Sequence, residues 1–414
     1  MFLKMKKLLF ILSIPLILIS CKKPGCTDPT AINYNVNAEK EDGSCEYETT
    51  TNTVKSGYLT QNETWNSSTI YELAGKVVVP NGITLTIEPG TIIKGREGSG
   101  TLASALIVAK GGKIEANGTS TFPIIFTSTL DNIKVGEIAG TNLTEADQGL
   151  WGGIIILGDA PISAADGDAL SQIEGIPTSD AFGAFGGTNP QDNSGILNYI
   201  SIRHGGALIG AGNEINGLTL GGVGSGTQIS NIEVVANLDD GVEFFGGTVD
   251  ASNILVGFQG DDGIDIDMNY AGTVDRFKVV NGSNSDESLE IDGPEGTTYT
   301  TGLFTLLNGE TNGNIDLKSK AQGNLENIIF NDAKIRCSFD VDCLTEKTDA
   351  YTNLVDNLLN ITNVNFTNVS VYTSTTCPIP STYQPTVESL VTSTPQQISS
   401  PDWSWTWMNI KGKL

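Results

Sequence analysis

An acidic phrase recurs along the second half of the chain, and its repetition constrains the fold more than any single residue does. Asp239-Asp240-Gly241-Val242-Glu243-Phe244 is echoed by Asp261-Asp262-Gly263-Ile264-Asp265-Ile266, by Asp286-Glu287-Ser288-Leu289-Glu290-Ile291 and, more weakly, by Asn312-Gly313-Asn314-Ile315-Asp316-Leu317. The acids at 243, 265, 290 and 316 are 22, 25 and 26 residues apart. A second phrase accompanies the first: Ile229-Ser230-Asn231-Ile232, Ala251-Ser252-Asn253-Ile254, Leu325-Glu326-Asn327-Ile328 and Ile361-Thr362-Asn363-Val364. From Gly57 onward short β-branched runs alternate with Gly, Asn and Asp, and no helical period persists beyond two turns. Repetition at this period with constant turn chemistry separates a solenoid from a sandwich. About 300 residues at about 25 per coil give on the order of a dozen coils. The expected fold is all-β, a right-handed parallel β-helix, with a small disulfide-closed module ahead of it.

Charge narrows the partners. Asp and Glu outnumber Lys and Arg 48 to 23, a formal charge of −25 over 414 residues. A surface of that sign repels phosphates, so nucleic acid is excluded as a partner and divalent cations are the natural counterions. The single histidine, His204, rules out zinc sites built from several His, and any Ser-His-Asp triad would have to pass through it.

Lys4, Lys6 and Lys7 precede an apolar run over residues 8–19. About 12 residues are too few to span a bilayer, which needs roughly 20, so residues 1–20 read as a cleaved signal peptide. Leu18-Ile19-Ser20-Cys21 resembles the lipobox of bacterial lipoproteins. The resemblance implies that Cys21 is acylated, palmitate among its chains, and becomes the mature N-terminus. The protein is then anchored by lipid to the outer membrane, and Lys22-Lys23-Pro24 leaves open which side it faces. An extracytoplasmic location permits disulfides, and Cys26 with Cys45 and Cys337 with Cys343 are the expected pairs. Cys377 is left over or competes for the second pair. Within 21–47, Gly25-Cys26-Thr27-Asp28-Pro29 and Asp42-Gly43-Ser44-Cys45 resemble a short Cys-bracketed module of Bacteroidota surface proteins. Residues 48–56 read as a linker, 57–402 as the β-helix and 403–414 as a cap, with Trp403, Trp405 and Trp407 covering the open last coil or, alternatively, forming a sugar platform.

The first coils, Ile83-Thr84-Leu85-Thr86-Ile87, Ala105-Leu106-Ile107-Val108 and Phe122-Pro123-Ile124-Ile125-Phe126, resemble those of pectin-lyase-like folds. Trp151-Gly152-Gly153, the stretch 213–227 and Asp240-Gly241-Val242-Glu243-Phe244-Phe245-Gly246-Gly247-Thr248 resemble a family of Bacteroidota β-helix lipoproteins over about residues 58–410. That resemblance implies fold and envelope location but brings no established activity.

Alternate strand residues face opposite ways, so Glu243 between Val242 and Phe244, and Asp265 between Ile264 and Ile266, point outward. Coils stack about 4.8 Å apart, where two unit charges repel by about 0.9 kcal/mol in water and about 3.5 kcal/mol at an effective dielectric of 20. Three readings follow. The acids are solvated turn residues; or Asp239, Asp240, Glu243, Asp261, Asp262, Asp265 and Glu290 hold a cation, for which calcium suits oxygen-only donors. The third reading makes Asp240, Glu243, Asp262 and Asp265, beside Arg276, a carboxylate centre of glycosidase or lyase type. Arg203 and Arg276 also serve as counterions to the ladder, and His204 as a hydrogen-bonded strand-end residue. In polygalacturonase-like enzymes the acids precede a Gly-His-Gly motif, whereas His204 precedes both Asp-Asp pairs. Residues 221–226 lack the Lys-Ser/Thr of a P-loop and read as a turn. The function expected is a non-catalytic, membrane-anchored envelope protein that binds a glycan or protein partner through an acidic, calcium-supported face. The alternatives are a β-helix polysaccharide lyase or glycoside hydrolase, and an accessory subunit of an outer-membrane transport or assembly complex.

Overall fold

The computed structural model describes residues 22–29, 31–45, 51–165, 167, 169–209, 215–392, 394 and 397–414. Residues 1–20, expected as a signal segment, and Cys21 lie outside the described residues. Two units are distinguished, Met1–Thr50 and Thr51–Leu414. In the first, Cys26 and Cys45 form the expected disulfide. The Glu41 carboxylate accepts from the Thr27 amide (2.8 Å), the Thr27 hydroxyl (2.9 Å) and the Gly43 amide (3.0 Å), which fixes loops that bury little of their own.

The second unit is a right-handed parallel β-helix. Its coils carry three parallel sheets. One holds the acidic phrase: Leu218–Gly221, Val242–Phe245, Ile264–Asp267, Leu289–Ile291 and Ile315–Leu317 pair in register. The other two share long strands, Gly195–Arg203, Gln228–Val235, Ala251–Gly257 and Thr273–Val280, each bent in the middle. Val242, Phe244, Ile264, Ile266, Leu289 and Ile291 point inward and are buried in one continuous core. This alternation is what leaves the residues between them on the outer wall.

The bend explains the second repeated phrase. Asn231, Asn253, Asn308, Asn327 and Asn363 all have positive φ, between 52° and 59°. Asn tolerates this left-handed region because its short amide bonds locally, whereas most L-residues clash there. Asn253 Nδ2 donates to Asn231 Oδ1 (3.0 Å), Asn231 Nδ2 to Asn198 Oδ1 (2.8 Å) and Asn327 Nδ2 to Asn308 Oδ1 (2.7 Å), so the bends are stacked as amide ladders. Replacing Asn253 with Ala is expected to cost about 1–2 kcal/mol in denaturant unfolding, and Asn253→Gly distinctly less. Equal losses would contradict a conformational role for the asparagine.

Two boundary expectations and one disulfide pairing are corrected. Residues 51–56 are not linker: Thr51–Tyr58 is a strand paired with Thr69–Val79, with Asn52, Val54 and Ser56 exposed on its outer face. The tryptophans do not cover the last coil. Trp403, Trp407 and Met408 pack on Val235, Ala236 and Leu255, on the side wall of the middle coils, where those apolar side chains face outward. The last coils instead carry helices α1 (Ala350–Val355) and α2 (Tyr383–Leu390), with Leu354 and Val387 buried. Finally, Cys337 is not paired with Cys343. The disulfide joins Cys343 to Cys377, and Cys337 is buried and reduced. Cys337 directly follows the strand Asp332–Arg336 and turns its sulfur into the core, 3.3 Å from the Tyr372 carbonyl oxygen, whereas Cys343 lies in the exposed turn of a hairpin. Burial pushes the Cys337 thiol up to about 11. Non-reducing peptide mapping should find the Cys343–Cys377 bond, and Cys337 should resist thiol reagents at pH 8 until the chain unfolds.

Candidate functional site

The register stacks Thr219, Glu243, Asp265, Glu290, Asp316 and Lys334 in one column on the outer wall. The column is electrostatically divided. In its later half Glu290 pairs with Lys318, the neighbouring Glu287 with Lys334, and Asp316 accepts from the Tyr372 hydroxyl at 2.7 Å. In its earlier half carboxylates face one another. One oxygen each of Asp240, Glu243 and Asp265 lie within 4.8 Å of one another, and a second such group joins Asp239, Asp240 and Asp261.

The solvated reading fails for the first group. Glu243 is 7% exposed and Asp240 6%, covered by the neighbouring coils and by Asn216, whose side-chain amide donates to Glu243. Burial, and then the negative charge of neighbouring carboxylates, holds Asp240, Glu243 and Asp265 well above the ordinary carboxylate range. Burial likewise pushes Asp262 and Asp292 up to about 7. Two oxygens at the cluster, Oδ1 of Asp265 and Oδ1 of Asn216, are buried without a hydrogen-bond partner. A buried acceptor left unsatisfied costs about 1–3 kcal/mol. An oxygen-only set of this kind fits a hard divalent cation such as calcium.

The Asp-Asp-Gly turns have a structural share in this. Asp240 Oδ1 accepts from the Asp262 amide (2.9 Å) and Asp262 Oδ1 from the Glu287 amide (2.7 Å), so each turn acid ties down the next coil. Gly241 is required by close approach: a Cβ there would lie 2.2 Å from Val256 Cγ1 and 2.5 Å from the Gly263 carbonyl oxygen.

The structure does not bring every candidate to this place. Arg276 occupies the bend position of another sheet (φ 59°), where its Nε donates to Asn253 Oδ1 (2.9 Å) and its guanidinium pairs with Asp275 (3.0 Å). It is therefore not beside the acidic pair, because the bend carries it to the opposite end of the rung from the Asp-Asp-Gly turn. Of the proposed ligands, Glu290 is already paired with Lys318, and Asp261 is exposed. Arg203 is no counterion of the ladder either. It is buried on a different wall, with Nε donating to Ser201 Oγ (2.7 Å). His204 bonds the Asp147 carbonyl oxygen through Nδ1 (2.7 Å), and burial pushes it down to about 4, a neutral strand-end residue.

Three residues near the acidic wall were not foreseen: Asn216, Glu174 and Glu295. Glu174 belongs to the excursion 158–194, which carries a small antiparallel pair, Ser171–Gln172 with Ala184–Phe185, and lies outside the repeat. With Glu295 it borders a cleft of about 260 Å³ whose walls include Ile173, Phe185, Phe245 and Met268. The charge of Glu174 also acts on Glu243 and Asp267, so cleft and column share one field.

A parallel β-helix with a buried carboxylate cluster on its side wall is the class that fold and site define. Within it, the chain belongs to the pectate-lyase-like beta helix domain family, which it matches over residues 57–408. No curated protein matches the chain. Among solved structures it is similar to the crystal structure of the pectin methylesterase from Aspergillus niger in penultimately deglycosylated form. That similarity amounts to 10% identity and a TM-score of 0.25, covering 82% of this chain and 87% of that one.

Proposed function

We propose that this chain is a lipid-anchored protein of the bacterial outer membrane that binds a glycan or protein partner through its acidic side wall, with calcium held by Asp240, Glu243 and Asp265. The observation that carries the reading is the pair of buried, unsatisfied oxygens at a three-carboxylate cluster. A divalent ion supplies the positive charge that the cluster lacks, and its remaining coordination positions are open to oxygens of a partner. Asn216 orients Glu243, and the turn bond to Asp262 orients Asp240. Lipid at Cys21 would hold the wall at the membrane surface.

The test uses envelope membranes and the full chain. The wild type should fractionate with outer membrane and Cys21→Ser should not. Capture of polygalacturonate or of solubilised envelope protein by the mature chain should require calcium and be lost with EDTA and in Glu243→Ala/Asp265→Ala. Capture indifferent to both treatments would overturn the role of the cluster.

A hydrolase or lyase reading is favoured by one feature: burial raises Glu243 and Asp265 well above the ordinary carboxylate range, the direction a general acid requires. Release of reducing ends or unsaturated products from acidic polysaccharides, abolished by Glu243→Gln, would establish it.

A further inference from the structure

The cleft beside the column has a composition that selects its occupant. Ile173, Phe185, Phe245 and Met268 line it with apolar surface, and the Phe185 and Phe245 ring centroids are 6.0 Å apart at a 50° tilt. Glu174 and Glu295 add two carboxylates, and no Lys, Arg or His lines the cavity among the described residues. Outside the lining, Asp267 and Lys320 act on Glu295 with opposite signs. Such a site repels uronates and other anions. Ser171 and Gln172 are the other polar side chains of its lining, and a bare hard cation would leave the aromatic and thioether wall unused. An alkylammonium satisfies both parts: a methylene stem against the aromatic and thioether wall, and a cation against the carboxylates, with ring faces adding a cation–π contribution.

We propose that this cleft is a subsite for a lysine side chain of a protein partner, so that the acidic wall recognises protein through an ammonium group as well as through its metal. This deepens the reading given above and rests on it for the wall being a binding surface, but the subsite does not need the calcium cluster to be loaded. The cavity of about 260 Å³ has room for one long side chain and not for an extended polymer. An exposed cleft of this sort holds its ligand weakly alone, and affinity comes from its being one contact within a larger interface.

The test titrates the mature full chain with Nα-acetyl-lysine methylamide, followed by NMR or calorimetry, with and without calcium. Binding is expected in both conditions. It should fall about tenfold or more for the Nζ-acetylated analogue and for the norleucine analogue, which lack the charge. Glu174→Gln/Glu295→Gln, substitutions at exposed positions, should give the same loss, while Asp240→Asn/Asp265→Asn, which alters the shared field but no cleft carboxylate, should weaken lysine binding much less. Norleucine binding as well as lysine would show a merely apolar pocket and overturn the proposal. Methylamine or cadaverine binding as tightly as the lysine amide would reassign the site to free amines and overturn the protein partner. Absence of lysine binding with calcium binding retained would reject the subsite and leave the metal reading standing. Loss of calcium binding with lysine binding retained would do the reverse.

Discussion

In calcium-free buffer at pH 8, Asp240→Asn/Glu243→Gln/Asp265→Asn is expected to melt several degrees above the wild type, and millimolar calcium should raise the wild type alone. The amides keep the shape of the side chains, and the amide that replaces the Asp240 carboxylate still offers one oxygen to the Asp262 N–H, from which Asp240 Oδ1 now accepts. What they remove is repulsion, about 3.5 kcal/mol for one pair of charges about 4.8 Å apart at an effective dielectric of 20. The sign of the pH dependence follows. Asp240, Glu243 and Asp265 are held above the ordinary range, and Asp262 and Asp292 are pushed up to about 7, so the folded chain binds more protons than the unfolded chain. The stability that Asp262 and Asp292 contribute is present below about pH 4 and is lost as pH rises through about 7, and the other three act in the same direction. Metal-free wild type should therefore melt lower at pH 8 than at pH 5. A cation at about one hundred times its dissociation constant adds about 2.7 kcal/mol, and the gain should be larger at pH 8 than at pH 5, because fewer protons then compete with the cation for the ligands. A wild type whose melting temperature is flat between pH 5 and 8 and unmoved by calcium would contradict the picture.

The second large effect lies on another wall. Glu233 accepts from Ser201 and, at the start of the C-terminal helix Trp407–Ile410, from the Trp407 and Met408 amides at 3.0 and 2.9 Å. Arg203, fully buried, reaches Glu233 through Ser201, and its charge is balanced by Glu233 and Asp131. Glu233→Ala removes one charge of a buried set and releases the tryptophan strap, so a loss of about 3–5 kcal/mol is expected in denaturant unfolding. Glu233→Gln should fall between this and wild type, because it keeps an acceptor for the helix amides. Limited proteolysis should find the bonds after Trp403 and Trp405 cleaved faster in Glu233→Ala. A loss under about 0.5 kcal/mol, the range of ordinary surface substitutions, would show that the network does not hold the strap.

The repeat made the fold legible because each coil must present the same turn at the same place. The acids at 243, 265, 290 and 316 marked one sheet, and the Ser-Asn phrase marked the bend between the other two. What the repeat does not carry was not legible. The excursion 158–194, with Glu174 and Phe185, has no counterpart in other coils. Trp407 lies 174 residues from Glu233 along the chain, and nothing local announces that contact. Cysteine spacing favoured Cys337–Cys343, but strand alternation turned Cys337 inward and left Cys343 in a hairpin turn within reach of Cys377. At the acidic wall the column could be read from the spacing but its division could not, since Lys318 and Lys334 neutralise, and Tyr372 hydrogen-bonds, only the later half.

Calorimetric titration of calcium into the chain expressed without residues 1–20 tests the central claim most directly. One site is expected in the wild type, its heat abolished in Glu243→Ala/Asp265→Ala and retained in Glu290→Ala, whose native carboxylate pairs with Lys318. No heat at millimolar calcium, or heat that survives the double substitution, would contradict it.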